Sequence, residues 1–449
     1  MRHPFRSFAQ REDGGISALS LQMFIGALAF GGLAVDFGKG VTSKTQLQIA
    51  GDAAAHAAIM TRETKSAEEA KEVALNVAAG NMPNAKYGDV LTEENINFGY
   101  WDRDTEVFTV DPASSEAVLV TTQQVSANGN GVTTYMMRLT GLSELDVTAG
   151  AVFESYYPTC FNEGMVAREP VDIQSNNLFG SGFCIHSQDH AAFSSGNLLE
   201  DKVVVSMPDK RDIELPSSGF ESNDGLEQAL RDASYQIKIL ARINDILGGI
   251  VTDPTDPAIG IMAPTSRYYR PYVTDASPID IQGTGATSLD GSKFRAGRIH
   301  VLSCKNDNSH KQLGSGFVMQ NMVLVTDCRL QFNAGAVIED SVIITTNPSD
   351  KAFYASSNIV LGRDDDCAGG GDVQMIALGG VDFAAGTSVF GSQIIAAGDI
   401  AFAANANGIE GVSLVAGGRI DVTSNGYYGV CGGAGMNNNY AAAYFRLAR

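Results

Sequence analysis

Six cysteines, Cys160, Cys184, Cys304, Cys328, Cys367 and Cys431, are the residues whose type and placement most directly imply chemistry. None lies in the first third of the chain. An even number confined to one part is what disulfide formation in an oxidising compartment produces. Sequence order suggests the pairs Cys160–Cys184, Cys304–Cys328 and Cys367–Cys431, among the fifteen pairings that six cysteines allow. Six free buried thiols are the alternative. Cys184-Ile185-His186-Ser187-Gln188-Asp189-His190 brings two histidines to i and i+4, a metal-binding spacing only on a helix. In an extended segment they stand about 13 Å apart, so surface histidines are expected. Asp364-Asp365-Asp366 offers oxygens to calcium but lacks the EF-hand spacing, and reads as a solvated turn. Cys431-Gly432-Gly433-Ala434-Gly435 has no lysine or helix start to cradle a phosphate. No G-x-S-x-G, H-E-x-x-H or Walker A sequence occurs. Asp382, Asp399 and Asp421 recur at a spacing that would stack them along one side. Polysaccharide-cleaving enzymes need paired carboxylates in one groove, but decoration of a repetitive fold is the expected role. No enzyme, no cofactor and no metal site is expected.

The elements that position these residues follow from composition and pattern. The chain has 449 residues, of which 44% are hydrophobic and only 18% charged, with 49 glycines. That suits a β-rich or repetitive fold with a real core. The formal net charge of −20, with no Lys/Arg-rich run, excludes nucleic acid as a partner and a domain held electrostatically on anionic lipid. It suits a body outside the cytoplasm, kept apart from its copies by like charge.

Ile16 to Val35 (ISALSLQMFIGALAFGGLAV) carries no charge. Twenty residues at 1.5 Å each span about 30 Å, the hydrocarbon thickness of a bilayer. Ile16, Leu19, Leu21, Met23, Phe24, Ile25, Leu28, Phe30, Leu33 and Val35 are the expected lipid-facing anchor. Arg2, Arg6 and Arg11 precede it, which puts the N-terminus inside. A cleaved signal peptide is the rival reading; its core is shorter and is followed by a small-x-small site. Lys44 to Met60 is rich in alanine and continues the helix, with Gly31, Gly32, Gly38 and Gly40 permitting a bend. Ala53, Ala54, Ala55, Ala57 and Ala58 offer a close-packing face. Ser66-Ala67-Glu68-Glu69 is a capping box opening a helix to about Gly80, with Ala67, Ala70, Val73, Ala74 and Val77 on one stripe. Strands are expected near 95–100, 106–110, 117–124, 133–139 and 145–153, with a hairpin turn at Asn128-Gly129-Asn130-Gly131.

This N-terminus resembles the TadE/TadG-like proteins of Tad (Flp) pilus assembly. Arg11-Glu12-Asp13-Gly14-Gly15 leads into the apolar run. Then follow Gly32-Leu33-Ala34-Val35-Asp36-Phe37-Gly38 and Leu47-Gln48-Ile49-Ala50-Gly51-Asp52-Ala53-Ala54-Ala55. Asn97-Phe98-Gly99-Tyr100-Trp101-Asp102, Glu116 to Gln124 and Leu145 to Val152 look like the family's exported strands, so the likeness covers about the first 155 residues. It implies an inner-membrane, pilin-like or assembly component without known catalysis, whose partners are other Tad pilus-assembly or pilin proteins. Two motifs depart from the family. Glu12 precedes Gly14 and Gly15, unlike a prepilin-peptidase substrate. Asp275-Ala276-Ser277-Pro278-Ile279 lacks the final serine of a D-x-S-x-S metal motif. Tyr157-Pro158-Thr159-Cys160 and Gly182-Phe183-Cys184-Ile185 are similar to a Cys–strand–Cys segment that opens a β-helix behind some Tad-like N-termini, and this supports Cys160–Cys184 as a disulfide.

Beyond Cys160 short β-like runs end in Gly, Asn or Ser. Val381-Asp382-Phe383 is echoed by Ile400-Ala401-Phe402 and Ile420-Asp421-Val422, and Ile394-Ile395-Ala396-Ala397-Gly398 by Leu414-Val415-Ala416-Gly417-Gly418. A period near twenty residues fits one coil of a parallel β-helix; a β-sandwich could use such strands but needs no fixed period. Val337 to Thr345 and Ser357 to Gly362 read as less regular coils. Leu226, Ala229, Leu230, Ala233, Ile237, Leu240, Ala241 and Ile243 recur at helical spacing, a helical insertion that packs on the solenoid or caps it. The sequence thus predicts a cytoplasmic N-terminus (1–15), a transmembrane helix (16–35), a small α+β pilin-like domain (36–155) and a mainly-β, β-helix-like domain (156–449) with a helical insertion (222–250). The expected setting is the bacterial inner membrane, single-pass, with a periplasmic or extracellular body. Glycan or another surface is the expected ligand if the protein is an adhesin.

Overall fold

The computed structural model describes residues 15–282, 288–289, 291–304, 310–355 and 357–449. Residues 1–14, read above as the cytoplasmic end, lie outside them. Residues up to Tyr156 together with Tyr444–Arg449 form one compact unit, and Tyr157–Ala443 form another. The last six residues therefore belong with the N-terminal unit, a correction to the boundary drawn from sequence.

The spine of the first unit is one helix, Gly15–Arg62, 48 residues long and unbroken. Its glycines do not break it, and two of them, Gly32 and Gly40, mark close approaches. A methyl group on Gly32 would overlap the Met136 side chain, and one on Gly40 would stand 3.3 Å from Leu145. Ser43, Leu47, Ala50, Ala54 and Ala58 continue the same buried face at three- and four-residue steps. Ser66 caps the second helix, Ala67–Asn81, by accepting from the Glu69 amide while Glu69 reaches back to the Ser66 amide. Its alanines Ala70, Ala74 and Ala78 pack on Ala54, Ala55, Ala58 and Ile59 of the first helix. The expected stripe is rotated, leaving Val73 exposed, because two alanine faces approach more closely than a valine permits.

Against these helices lies an antiparallel sheet in the order Val107–Val110, Ile96–Asp102, Ala117–Gln124, Val147–Tyr156, Tyr444–Leu447. Buried Glu154 joins it internally, accepting from Arg103 and Arg446 on either side. The strand expected at 133–139 is only Val132–Thr133, paired with Glu144–Leu145, and is followed by a tight helical turn at Met137–Thr140. The Asn-Gly turn at 128–131 thus does not close a hairpin of neighbouring strands, since Ala117–Gln124 pairs with Val147–Tyr156 instead.

The second unit is a stack of parallel strands. Val381 faces Ile400 and Ile400 faces Ile420, steps of 19 and 20 residues, and Ile394 faces Leu414. Val337–Thr345 and Val360–Leu361 join the same stack. One file of side chains, Leu324, Ile343, Met375, Ile394, Leu414, Met165, Ile185 and Val205, lies in register along it and in one core.

The stacking order is not the chain order. From 275–282 the strands stack in sequence up to 412–416; the next strand is Gly164–Ala167, followed by Cys184–Ser187, Val204–Met207 and Leu230–Asp232. The chain enters mid-stack, builds to one end, crosses to the other, and builds back to its starting point.

The crossing segment holds the expected helical insertion only in part. Leu230–Asp232 is a strand, but after a single turn at Leu226–Ala229 the stretches Lys238–Arg242, Ile243–Leu247 and Gly248–Thr252 follow one another without a break as helical turns of changing pitch. The apolar spacing serves a different surface. Ile237, Ile239, Ile243, Ile246, Ile250 and Ile261 cover the outer file Val325, Ile344, Ile376, Ile395, Val415 and Val166. Both faces of these strands are therefore buried, and they read as continuous apolar runs. Buried Arg270 pins this strap: its guanidinium donates to Gln374 Oε1 at 3.2 Å and lies 4.8 Å from the Tyr440 ring centre, while Gln374 donates to buried Asp372 at 2.6 Å.

Candidate functional site

Ile16, Leu19, Leu21, Met23, Phe24, Ile25, Leu28, Phe30, Leu33 and Val35 are all exposed. They line a stretch with a mean hydropathy of 1.8 at the start of the long helix. So much bare apolar surface is unfavourable in water, at roughly 25 cal/mol per Å², and its length matches a bilayer core.

Directly after this stretch stands Asp36, part of the Gly32 to Gly38 motif that carries the resemblance. It is buried, and its carboxylate accepts from three consecutive amides, Tyr135 at 2.6 Å, Met136 at 2.8 Å and Met137 at 2.8 Å. One turn further, Lys39 Nζ donates to the Thr133 carbonyl and hydroxyl, both at 2.7 Å. Gly32, Asp36 and Gly40 follow at four-residue steps on one face. The sequence signal was this spacing, which shows which residues share a face but not what meets them.

The cysteines pair as Cys160–Cys184, Cys304–Cys328 and Cys367–Cys431, with Cα atoms 4.9, 5.4 and 5.6 Å apart, all within the second unit. Asp327 lies beside Cys304 and Cys328, but both sulfurs are spent in the disulfide, so no thiolate is offered to a metal.

His186 is not a surface residue. It is buried beneath the strap, with Nδ1 2.8 Å from Ser206 Oγ and its ring against Tyr235. Burial pushes it down to about 4. His190 stands apart, partly exposed, between Asp189 and Glu214 at 3.2 and 3.6 Å. The two histidines share no ligand geometry.

The aspartate spacing resolves into one outward row on a parallel ladder: Gln331, Tyr354, Asp382, Ala401, Asp421, Asp172, Ala192 and Glu214. Asp421 is held up by burial, against the pull of Arg419 and with the push of the facing Asp172. Arg419 lies 3.2 Å from Asp172, and Lys351 pairs with Asp382. Asp399 is off the row and accepts from the Arg419 amide at 3.0 Å. Asp364 and Asp366 are exposed, and Asp365 closes its own turn onto the Ala368 amide.

An exposed apolar helix that becomes the spine of a small α+β unit, carried on one chain with a large parallel-β unit, defines a membrane-anchored protein. Residues 14–70 match the Flp pilus-assembly TadE/G-like family and residues 53–152 the Tad-like Flp pilus-assembly family. The N-terminal unit is thus a Tad-type domain, and the chain is associated with the Tad/Flp pilus machinery. The chain belongs to the family described as Domain of unknown function (DUF7867), whose model matches residues 164–432, more than half of its length. No curated protein and no solved structure matches it.

Proposed function

We propose that the protein is a structural, non-catalytic component of Tad/Flp pilus assembly, akin to a minor pilin. Residues 16–35 hold it in the bacterial inner membrane with the N-terminus in the cytoplasm, and both units lie outside. The observation that carries this reading is the unbroken helix Gly15–Arg62, bare and apolar at its start and the packed spine of a Tad-type unit thereafter. The three disulfides fit an oxidising compartment. In this reading the second unit is a parallel β-helix, a rigid spacer or binding surface whose strands repeat about every twenty residues. Deleting the gene and counting surface pili by electron microscopy tests it. Loss of pili, restored by the wild-type copy, is the expected result; normal pili would overturn it.

A second reading is favoured by the outward polar row: an anchored adhesin that binds glycan along it. Beside the row a cavity of about 210 Å³ is lined by Asp172, Gln174, Ser194 and Glu214, among others. Saturable glycan binding by the full chain in detergent, weakened by Asp421→Ala, would support this reading, and flat binding curves would remove it. Release of reducing ends from a polysaccharide, abolished by Asp382 or Asp421 substitution, would instead mark an enzyme.

A further inference from the structure

The segment 134–142 has its polarity turned inside out. An exposed loop ordinarily shows polar side chains and leaves its backbone to water. Here Tyr135, Leu139 and Leu142 are 67, 82 and 47% exposed, while the polar backbone is closed from within. Asp36 takes the amides of Tyr135, Met136 and Met137. The amide of Thr134 donates to Ser143 at 2.9 Å, that of Leu139 to Met136 at 3.0 Å, and that of Leu142 to Met137 at 3.1 Å. The Thr134 and Thr140 hydroxyls donate to the carbonyls of Leu142 and Met137. Irregular backbone tolerates a hydrocarbon environment only when its polar groups are satisfied in this way.

Its position is fixed by the anchor. The Met136 side chain lies against Gly32, inside the apolar run, and Asp36 directly follows that run. On the helix beside it, Phe37 and Val41 are also exposed, so that apolar side chains surround the helix where it leaves the 16–35 stretch. Lys39 stands 5.0 Å from the Tyr135 ring centre, and Arg138 is exposed at the same level. Tyrosine and basic side chains at the end of an apolar span suit the headgroup layer.

We propose that residues 134–142 insert into the bilayer interface, as a second membrane contact that sets the depth of the anchor and braces the Tad-type unit on the lipid surface. The occupant is lipid at the hydrocarbon–headgroup boundary, gripped by apolar side chains, so neutral lipid suffices. The inference rests on the reading of residues 16–35 as membrane-spanning.

The test is fluorescence quenching by brominated lipid. The full chain, with its single tryptophan removed by Trp101→Phe, is placed in phosphatidylcholine nanodiscs carrying Leu139→Trp, Tyr135→Trp or Val35→Trp; the chain with native Trp101 is the control. The two loop tryptophans are expected to be quenched nearly as strongly as Val35→Trp, and at least about twofold more than Trp101, as for side chains seated 5–10 Å into the boundary. If Val35→Trp is quenched and both loop positions behave like Trp101, this proposal fails while the anchor stands. Blue-shifted loop emission that resists lipid quenching and grows with protein concentration would assign the surface to a second copy, and also overturns it. An unquenched Val35→Trp would overturn the anchor itself.

Discussion

The two units bury their cores by opposite means. The Tad-type unit packs by omission: glycine and alanine along one helix face let a second helix, a sheet and the 134–142 segment come close. The larger unit packs by repetition, each strand laying an aliphatic side chain on one like it in the next. The first has antiparallel strands and no disulfide; the second has parallel strands and all three. Close packing through small residues leaves little area to bury, so precise fit decides stability. Repetition supplies area, but contacts between distant parts of the chain must be held, and cross-links hold them.

That contrast can be broken from either side. The largest effect is expected from Cys367→Ser with Cys431→Ser, because this bridge closes the longest loop, 64 residues against 24 for each of the others. The loss should be about 4 kcal/mol, read as a lower melting transition of the large unit in detergent, with the Tad-type unit unmoved. A reductant that shifts both units equally would refute the contrast. Arg270→Leu comes next. It leaves buried Asp372 without the cation behind Gln374 and should cost about 3 kcal/mol, measured by urea denaturation, with the 237–273 strap losing hydrogen-exchange protection first.

A third effect is pH-dependent. Because His186 is held down to about 4, the unfolded chain protonates first. The contribution of His186 should be full above pH 6.5, fall with acidification and be gone below about 4, a total of about 3 kcal/mol. Buried His300 shifts in the same direction. His186→Gln should flatten most of this slope; an unchanged slope would acquit His186. The smallest effect tests the other unit. Ala54→Leu inserts bulk between the helices and should cost about 2 kcal/mol by overpacking, seen as a lower transition of the Tad-type unit alone.

Much of this was legible from local pattern. The Ser66–Glu69 capping box forms because its partners lie three residues apart. The twenty-residue echo of Val381, Ile400 and Ile420 lands in register because identical steps place identical residues one above another. The anchor could be read because length and missing charge are local properties. The strap was legible in part: Ile243, Ile246 and Ile250 recur at helical spacing and lie on helical turns, whereas Leu230, in the same pattern, sits in a strand of the parallel stack. His186 misled because a residue on an outward strand face looks exposed until something covers it.

The sequence by itself determined the two N-terminal helices, the strand period, the apolar anchor and the number of cysteines, since each depends on residues within a turn or a coil of one another. Only the tertiary structure decided that Leu414 stacks on Met165, that Tyr444–Leu447 closes the first unit's sheet, and that Asp36 holds the amides of Tyr135 to Met137. Each of these joins parts of the chain about a hundred or more residues apart. Local spacing shows which side chains share a face, but the partner of that face is fixed only when the whole chain has chosen how to bury its apolar surface and satisfy its polar groups.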